Sequence, residues 1–232
     1  MKTFRTGLAM TTGLLLICCI PGVAHAEAPV PVGEQNEMLR PPLQEGKPVA
    51  VSIALHVINL ADIDEVSERF NLMFYLMAQW QDPRLAFIPR GPADRFHVYM
   101  PNQIWHPRLE FINELGAQST GDASLRVSSN GAVLYVERTG VELSTNFRLR
   151  RFPFDRQALQ VIIHSFVGQA LAVILRADQE HTWISGEESE YSSLAQWQVM
   201  GIRASDSQAS FSKFGPISEA RFASSWGLGF GA

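Results

Sequence analysis

The chain has 232 residues but only two cysteines, Cys18 and Cys19, which are adjacent near the N-terminus. Both lie in a segment with the features of a cleavable export signal, so the exported part has no cysteine at all. A disulfide framework, a thiolate metal site and a cysteine nucleophile are therefore excluded for that part. Its hydrophobic core alone must stabilise the fold.

Positive charge is also scarce, with 19 Lys and Arg residues against 23 Asp and Glu residues. Residues 1–26 contain Lys2 and Arg5 and no acid, which leaves 17 bases and 23 acids in the remainder. No block of basic residues interrupts this acidic balance. Nucleic-acid binding, which depends on neutralising phosphates, is therefore excluded.

The sequence lacks a P-loop, a G-x-S-x-G motif and a glycine-rich dinucleotide motif in the right context. The five histidines of the exported part show no spacing typical of metal ligands, so neither a metal nor another cofactor is expected. We therefore expect that the chain is not an enzyme. A glycosidase with two carboxylates stays open, because acids are plentiful, although no spacing favours one. These histidines are His56, His97, His106, His164 and His181.

The N-terminus predicts where the protein is located. Lys2 and Arg5 precede an apolar run over residues 7–20, and Ala24-His25-Ala26 offers the small-x-small pattern of a signal-peptidase site. Residues 1–26 therefore read as a signal peptide. We expect an exported protein on the periplasmic or extracellular side of the cell membrane. Residues 27–48 read as a proline-rich leader with a short helical turn near residues 35–39.

Beyond the leader, hydrophobic residues recur with a period of two. This alternation covers residues 49–57 and 70–80, and Asn130-Gly131 separates two further strands as a hairpin turn. Residues 157–175 carry no charge, but their glutamines, His164 and Gly168 favour two buried strands joined by a turn over a membrane helix. Residues 49–220 are thus predicted to form an all-β, immunoglobulin-like sandwich of about ten strands. Other predicted strands cover residues 125–128, 132–138, 147–152, 159–166, 171–176 and 197–204.

Three motifs in order point to a family. A Trp80-x-Asp82 element, Trp105-His106-Pro107 and the loop Phe152-Pro153-Phe154-Asp155-x-Gln157 follow one another with matching spacing. With them, residues 49–214 resemble the extracellular ligand-binding domain of pentameric ligand-gated ion channels, the Cys-loop receptor superfamily. The bacterial members are the most similar, since Thr145 and Leu159 stand where animal receptors have the loop cysteines. Arg108 departs from the family pattern, which has an aspartate after W-x-P.

The resemblance implies a small-molecule ligand bound between two subunits in a box of aromatic side chains. Position by position, it assigns this role to Phe166, Phe211, Tyr75 and Ile112. Plain sandwich packing is an equally open explanation for Tyr75 and Phe166. His164 lies two residues before Phe166, and we hypothesise a modest part for it in ligand or proton sensing.

The resemblance also implies how a signal would reach a pore. Asp62 and Asp64 in one loop, and Phe152, Pro153, Phe154 and Asp155 in another, would lie at the membrane-facing end as coupling loops. Trp80, Trp105 and Pro107 would be structural. The family places four membrane helices after the last strand, and residues 221–232 are expected to be an irregular tail, the truncated or frame-shifted start of the first of them. The membrane domain is thus expected to be absent from this chain.

The favoured function is that of a ligand-binding domain of a homopentameric ligand-gated channel that controls ion flow across the membrane. One alternative is a stand-alone, soluble periplasmic protein that binds a small molecule and has no pore. A less favoured alternative is an exported β-sandwich enzyme or a carbohydrate binder.

Overall fold

The computed structural model describes residues 37–116, 119–146, 156–166, 171–185, 197–211 and 215–228. Within these residues the chain forms eleven strands and one short 3-10 turn, Pro83–Leu85. The strands are β1 (Val49–Asp64), β2 (Arg69–Gln81), β3 (Phe96–Tyr99), β4 (Leu109–Phe111), β5 (Ser119–Ser128), β6 (Ala132–Ser144), β7 (Arg156–Ser165), β8 (Val173–Ala177), β9 (Trp183–Ile184), β10 (Trp197–Phe211) and β11 (Gly215–Leu228).

The strands form two sheets of unequal width. The larger has seven strands in the order β3-β5-β6-β2-β1-β8, with β9 also paired to β1, and the smaller has four in the order β10-β11-β7-β4. The β1–β8 and β1–β9 pairs are parallel, while the other strand pairs of the described residues are antiparallel. The predicted all-β sandwich is confirmed.

The core lies between the facing sides of the two sheets. Phe70 and Phe74 on β2 and Phe222 on β11 are fully buried there, as the alternation along β2 predicts. Burying a side chain of this size stabilises the fold by about 2–3 kcal/mol. The described residues thus have one continuous hydrophobic core, which the sandwich needs because it has no disulfide.

The hairpin between β5 and β6 follows the Asn130-Gly131 prediction. Gly131 has φ +81°, and a Cβ at this position would lie 2.5 Å from the carbonyl oxygen of Asp82. Glycine is therefore required here twice over, by the backbone conformation and by the close approach. The hairpin also keeps the W-x-D segment against the turn, because the amide of Asp82 donates to the carbonyl of Gly131 at 2.9 Å.

Two boundaries differ from the sequence-based expectation. Asp62 and Asp64 were expected to lie in a loop, but β1 continues to Asp64, with irregularities in its pairing to β2 near Asn59 and Asp62. The expected irregular tail from Arg221 onwards is also wrong as far as Leu228, because β11 continues to that residue. Its alanine, serine and glycine residues give little strand signal of their own, but β7 and β10 pair with the strand on both edges.

The uncharged stretch over residues 157–175 contributes to two strands, as expected, but they lie in different sheets. β7 belongs to the smaller sheet, whereas β8 adds to the larger one beside β1. The sequence did not predict β3, β4 and β9, which are too short to show a period. Among the residues that the structure describes, no helix is long and apolar enough to cross a membrane. The predicted signal peptide lies outside these residues, as does the strand expected at 147–152.

Candidate ligand-binding site

The motif residues form a structural cluster at one end of the sandwich. Trp80 and Trp105 meet edge to face with their ring centroids 5.5 Å apart, and both are buried together with Pro107. The carboxylate of Asp82, also buried, accepts hydrogen bonds from the Arg84 guanidinium at 2.7 and 2.8 Å. Arg84 in turn donates to the carbonyls of Glu37 and Arg40, which belong to the short turn before β1. The W-x-D and W-x-P motifs thus fasten the N-terminal turn to the sandwich.

His164 is paired with a carboxylate that the sequence analysis did not single out as a partner. It lies on β7 opposite Glu219 of β11, and its Nε2 is 2.6 Å from Oε1 of Glu219. Only 3% of either residue is exposed. Their chain neighbours Ile163 and Ala220 belong to the core, so this pair projects from the other side of the smaller sheet. The two residues are 55 positions apart, so no local pattern could have linked them.

Glu219 is the centre of a larger network. Its second oxygen, Oε2, accepts from the hydroxyl of Ser207 at 2.5 Å and from the guanidinium of Arg221 at 2.7 and 2.9 Å. Burial alone would raise the pKa of Glu219, but the bonds from Ser207, Arg221 and His164 outweigh it, and the pKa lies below its ordinary value. Glu219 is therefore an ionised carboxylate that joins β7, β10 and β11.

Phe166 lies one residue beyond the end of β7, and its ring is covered by a cation from the same chain. The guanidinium of Arg108 sits 4.6 Å from the ring centroid, and the Phe166 amide donates to the Arg108 carbonyl at 2.7 Å. The residue that departs from the family pattern thus contacts a predicted ligand residue. Ile112 is exposed beside β7, where its amide donates to the carbonyl of Ile162. Phe211 ends β10 opposite Gly215, and only its backbone is described.

Tyr75 lies in a different environment, on the larger sheet. Its chain neighbour Phe74 points into the core, so Tyr75 projects outward, with 36% of it exposed. His56 of β1 stacks on Tyr75 with 5.9 Å between ring centroids and on Trp183 of β9 with 4.5 Å. These three residues form the aromatic row. The sequence analysis did not assign His56 or Trp183 to the site, although a histidine and a tryptophan at outward positions would have been a signal.

The two groups of residues point away from each other. His164 lies on the smaller sheet, with Phe166 just after the end of its strand β7, and Tyr75 lies on the larger sheet, with the core between the sheets. One small ligand cannot touch both groups within a single copy of this chain. It can touch both only where the smaller sheet of one copy faces the larger sheet of another.

In the proposed coupling loop, the carboxylate of Asp64 at the end of β1 accepts hydrogen bonds from the turn that follows. Asp64 accepts from the amides of Val66 and Ser67 at 3.1 and 2.9 Å, and hydrogen bonds from these two residues hold its pKa below the ordinary value. Asp62 accepts from the amide group of Asn71 at 3.3 Å. This loop contacts the end of β6, where Thr145 donates its backbone N–H to the carbonyl of Glu68 at 2.9 Å. The other predicted coupling residues, Phe152, Pro153, Phe154 and Asp155, lie outside the described residues.

A metal site does not form among the described residues, where no three His, Cys, Asp or Glu side chains are close enough to share an ion. The chemistry that the described site offers is therefore that of its aromatic rings, its hydrogen-bond donors and the ionised Glu219 network.

Comparison with known proteins identifies the family and the fold. Residues 32–218 match the family model described as neurotransmitter-gated ion-channel ligand binding domain. A proton-gated ion channel from Gloeobacter violaceus is 30% identical over 150 residues, which are 65% of this chain and 42% of that protein. This chain thus spans less than half of that channel. Among solved structures, AChBP from Bulinus truncatus superimposes with a TM-score of 0.69 at 16% identity, over 85% of this chain and 98% of that one, which shows the shared fold. The chain belongs to the neurotransmitter-gated ion-channel ligand-binding domain family.

Proposed function

We propose that this chain binds a small ligand between adjacent copies of itself in a homopentamer and controls ion flow through a membrane domain that is not among the described residues. The observation that carries the proposal is the position of the predicted ligand residues on opposite outer sides of the sandwich. Each copy then contributes the side with His164 and Phe166 to one neighbour and the side with Tyr75 to the other. In a closed ring of copies, each copy makes both of these contacts.

The relative from Gloeobacter violaceus supports the channel part of the proposal, because its printed description is that of a proton-gated ion channel. The location follows from the same reasoning. The predicted signal peptide would export the chain, and the ligand-binding sandwich would lie on the periplasmic or extracellular side of the membrane.

Protons are one ligand that the described groups can bind. His164 is the only histidine in the carboxylate network under β10 and β11 within the described residues. A second proton on its ring would change the charge of a buried group next to Glu219 and would strengthen their pairing. Such a change at the β7–β11 contact would bias β11 and its hairpin partner β10 between two positions.

Proton sensing can be tested in a fusion of this chain to the membrane domain of the Gloeobacter violaceus channel. Currents are recorded as the external pH is lowered, for the parent fusion and for His164→Gln. We expect the midpoint of activation to shift by at least half a pH unit in the variant. The control is His181→Gln, since His181 is exposed and pairs with Asp178 at the surface. A His164→Gln midpoint equal to that of the control would rule out this role.

Binding between copies has a separate test in the same fusion. Tyr75→Ala and Phe166→Ala are expressed alone, together on one chain, and on two different chains in one cell. If both residues act at one site between copies, mixed assemblies contain some interfaces with neither change. The mixture should then recover part of the current at low external pH that both single variants lose. The doubly changed chain should recover none of it. Equal responses from the mixture and from the doubly changed chain would contradict the shared site.

A further inference from the structure

The hairpin of β10 and β11 extends beyond the strand that supports it. Among the described residues, β11 pairs with β7 as far as Glu219, which lies opposite His164. β10 and β11 stay paired for four more residue pairs, the last of which joins Phe211 to Gly215. Phe211, to which the family resemblance assigns a ligand contact, thus lies on a two-stranded ribbon. We call residues 208–211 and 215–218 the projecting end of the hairpin.

A serine hydroxyl attaches the projecting end to the larger sheet. Ser218 Oγ accepts a hydrogen bond from the amide of Leu175 on β8 at 2.8 Å, and it donates to the carbonyl of the same residue at 3.0 Å. Because β1 pairs with the other edge of β8, these two backbone groups lie on the edge that faces the hairpin. The hydroxyl therefore bonds the two groups of Leu175 that a neighbouring strand would otherwise pair with.

Two further side chains continue this attachment toward the base of the hairpin. The carboxylate of Asp206 accepts from the amide of Ala177 at 2.5 Å. The side-chain amide of Gln179 donates to the carbonyl of Ile202 at 3.3 Å and accepts from the backbone N–H of Ala204 at 2.7 Å. β8 and β10 are edge strands of their two sheets, and within the described residues they are joined by these side chains rather than by a ladder of backbone hydrogen bonds.

The junction between β8 and the hairpin leaves space for movement. A recess of about 390 Å³ lies between residues 173–176 of β8 and residues 206–208 of β10, and Ser218 lines it. The projecting end can therefore shift at this junction by breaking the two Ser218 bonds, with no pair of the β10–β11 ladder broken. The neighbouring Ile217 is fully buried, so we expect the hairpin to remain part of the sandwich when these bonds are lost.

We propose that Ser218 is a positioning residue for the ligand site between copies, because its hydroxyl holds the projecting end against β8 and thereby fixes the place of Phe211. When the two Ser218 bonds break, the projecting end turns about the last three-stranded row, where Glu219 lies opposite His164. Phe211 moves farthest, since it lies at the tip of the hairpin. This inference rests on the proposed function, in which Phe211 is a ligand residue.

A positioning role differs from a purely stabilising one in where its loss is felt. If Ser218 only stabilised the fold, its removal would make every part of the hairpin open more often, because the whole chain would unfold more often. If it holds the projecting end in place, that end opens more often while the base of the hairpin, which is paired to β7, stays closed.

Amide hydrogen exchange, followed by NMR on the purified full chain, separates these two roles. In Ser218→Ala we expect the amides of Ala209 and Ile217, which face each other in the projecting end, to exchange about tenfold faster than in the unchanged chain. Tenfold corresponds to about 1.4 kcal/mol, which lies within the range for the loss of two hydrogen bonds. The amides of Arg203 and Ala223, which pair at the base, should keep their exchange rates.

Three variants serve as controls for the exchange experiment. Ser218→Thr keeps a hydroxyl group at the same position and should preserve slow exchange in the projecting end. Ser205→Ala is the matched control, since Ser205 lies on the same hairpin but is exposed, and it should change neither region. Gln179→Ala loosens the attachment nearer the base, so it should speed exchange of the Ala204 amide without affecting the projecting end.

The effect on the ligand response is measured in the fusion to the membrane domain of the Gloeobacter violaceus channel. We expect Ser218→Ala to shift the pH midpoint of activation by at least half a unit, while Ser218→Thr and Ser205→Ala match the parent fusion. A parent fusion that passes no current would count against the proposed function, and the exchange experiment would still decide whether Ser218 holds the projecting end. Equal acceleration of exchange at the projecting end and at the base, or a Ser218→Ala midpoint equal to that of Ser205→Ala, would overturn the positioning role.

Discussion

The two outward sides of the sandwich differ in which side chains are removed from water. On the smaller sheet, polar groups have left water: His164 and Glu219 are both 3% exposed, and Ser207 and Arg221 satisfy the remaining carboxylate oxygen. On the larger sheet, the aromatic row remains partly in water, with Trp183 44% exposed. A hydrogen-bonded network around a carboxylate is thus buried on one side, while aromatic rings are left partly exposed on the other.

This difference indicates which side of the sandwich needs no contact with another copy. A buried carboxylate whose two oxygens both accept hydrogen bonds needs no further partner, and removing one of its partners is costly. Exposed stacked rings gain stability only when something covers them. The smaller sheet therefore carries its own stabilisation, and the larger sheet offers a surface on which another copy would gain contact area.

The largest effect on stability is expected from removing the Glu219 carboxylate at the centre of the network. Glu219→Ala leaves Arg221 and His164 without their shared acceptor, and we expect the free energy of unfolding to fall by about 3 kcal/mol. Urea denaturation measures this change. Glu110→Ala is the control, because Glu110 lies in the same cross-strand row on β4 but is exposed. A loss below about 1 kcal/mol, close to the value for an exposed residue, would show that the network adds little.

Acid should weaken the same network in a defined pH range. The pKa of Glu219 is lowered on folding, so its ionised form stabilises the folded chain above the ordinary carboxyl pKa of 4.5, and that stability is lost as the pH falls through the lowered value. We expect the unchanged chain to lose stability below about pH 4.5 more steeply than Glu219→Gln, which has no carboxyl group to protonate. Parallel curves of unfolding free energy against pH for the two proteins would contradict the assignment.

On the larger sheet, Trp183→Ala tests whether a neighbour covers the aromatic row. Trp183 stacks on His56 and is 44% exposed, so we expect the free energy of unfolding to fall by about 1 kcal/mol or less. Assembly into larger species, measured by light scattering on the full chain, should fall by more than this small change explains. Normal assembly by Trp183→Ala would show that the aromatic row is not covered by a neighbour.

The smallest effect is expected where Arg108 covers Phe166. Arg108→Met keeps the aliphatic stem but removes the cation from the ring, and we expect a loss of about 0.5–1 kcal/mol in unfolding free energy. Arg126→Met is a matched control, since Arg126 covers the exposed Phe96 at 5.3 Å. A larger loss in the control would mean that the ring contact at Phe166 contributes less than a surface contact.

Much of the fold could be predicted because several strands and turns have recognisable patterns over a few consecutive residues. The alternation in β1 and β2 identifies their buried sides, and Asn130-Gly131 identifies the hairpin that closes against Asp82. The end of β11 could not be predicted, since its small residues are made a strand by β7 and β10 rather than by their own preference. The same holds for β3, β4 and β9.

The candidate site was less accessible to sequence reasoning. The family resemblance pointed to Phe166 and Tyr75, and His164 was considered because it lies two residues before Phe166. The pairing of His164 with Glu219, however, depends on two strands that are distant in the chain. Glu137 left a signal in the sequence, because it is a charged residue of β6 at a position where the inward side chains are mostly apolar. This signal can be recognised only once it is known which side of β6 faces inward, and that depends on its neighbours β2 and β5.

The parallel pairing of β1 with β8 has a consequence for how the chain reaches this fold. β2 follows β1 directly and can pair with one edge of it early, but the other edge waits for residues 173–177, more than 100 positions later. Closing so long a loop is entropically expensive and slows folding. During synthesis, β1 therefore carries an open edge that other chains can reach, and the order in which its two edges close affects how much of the protein aggregates.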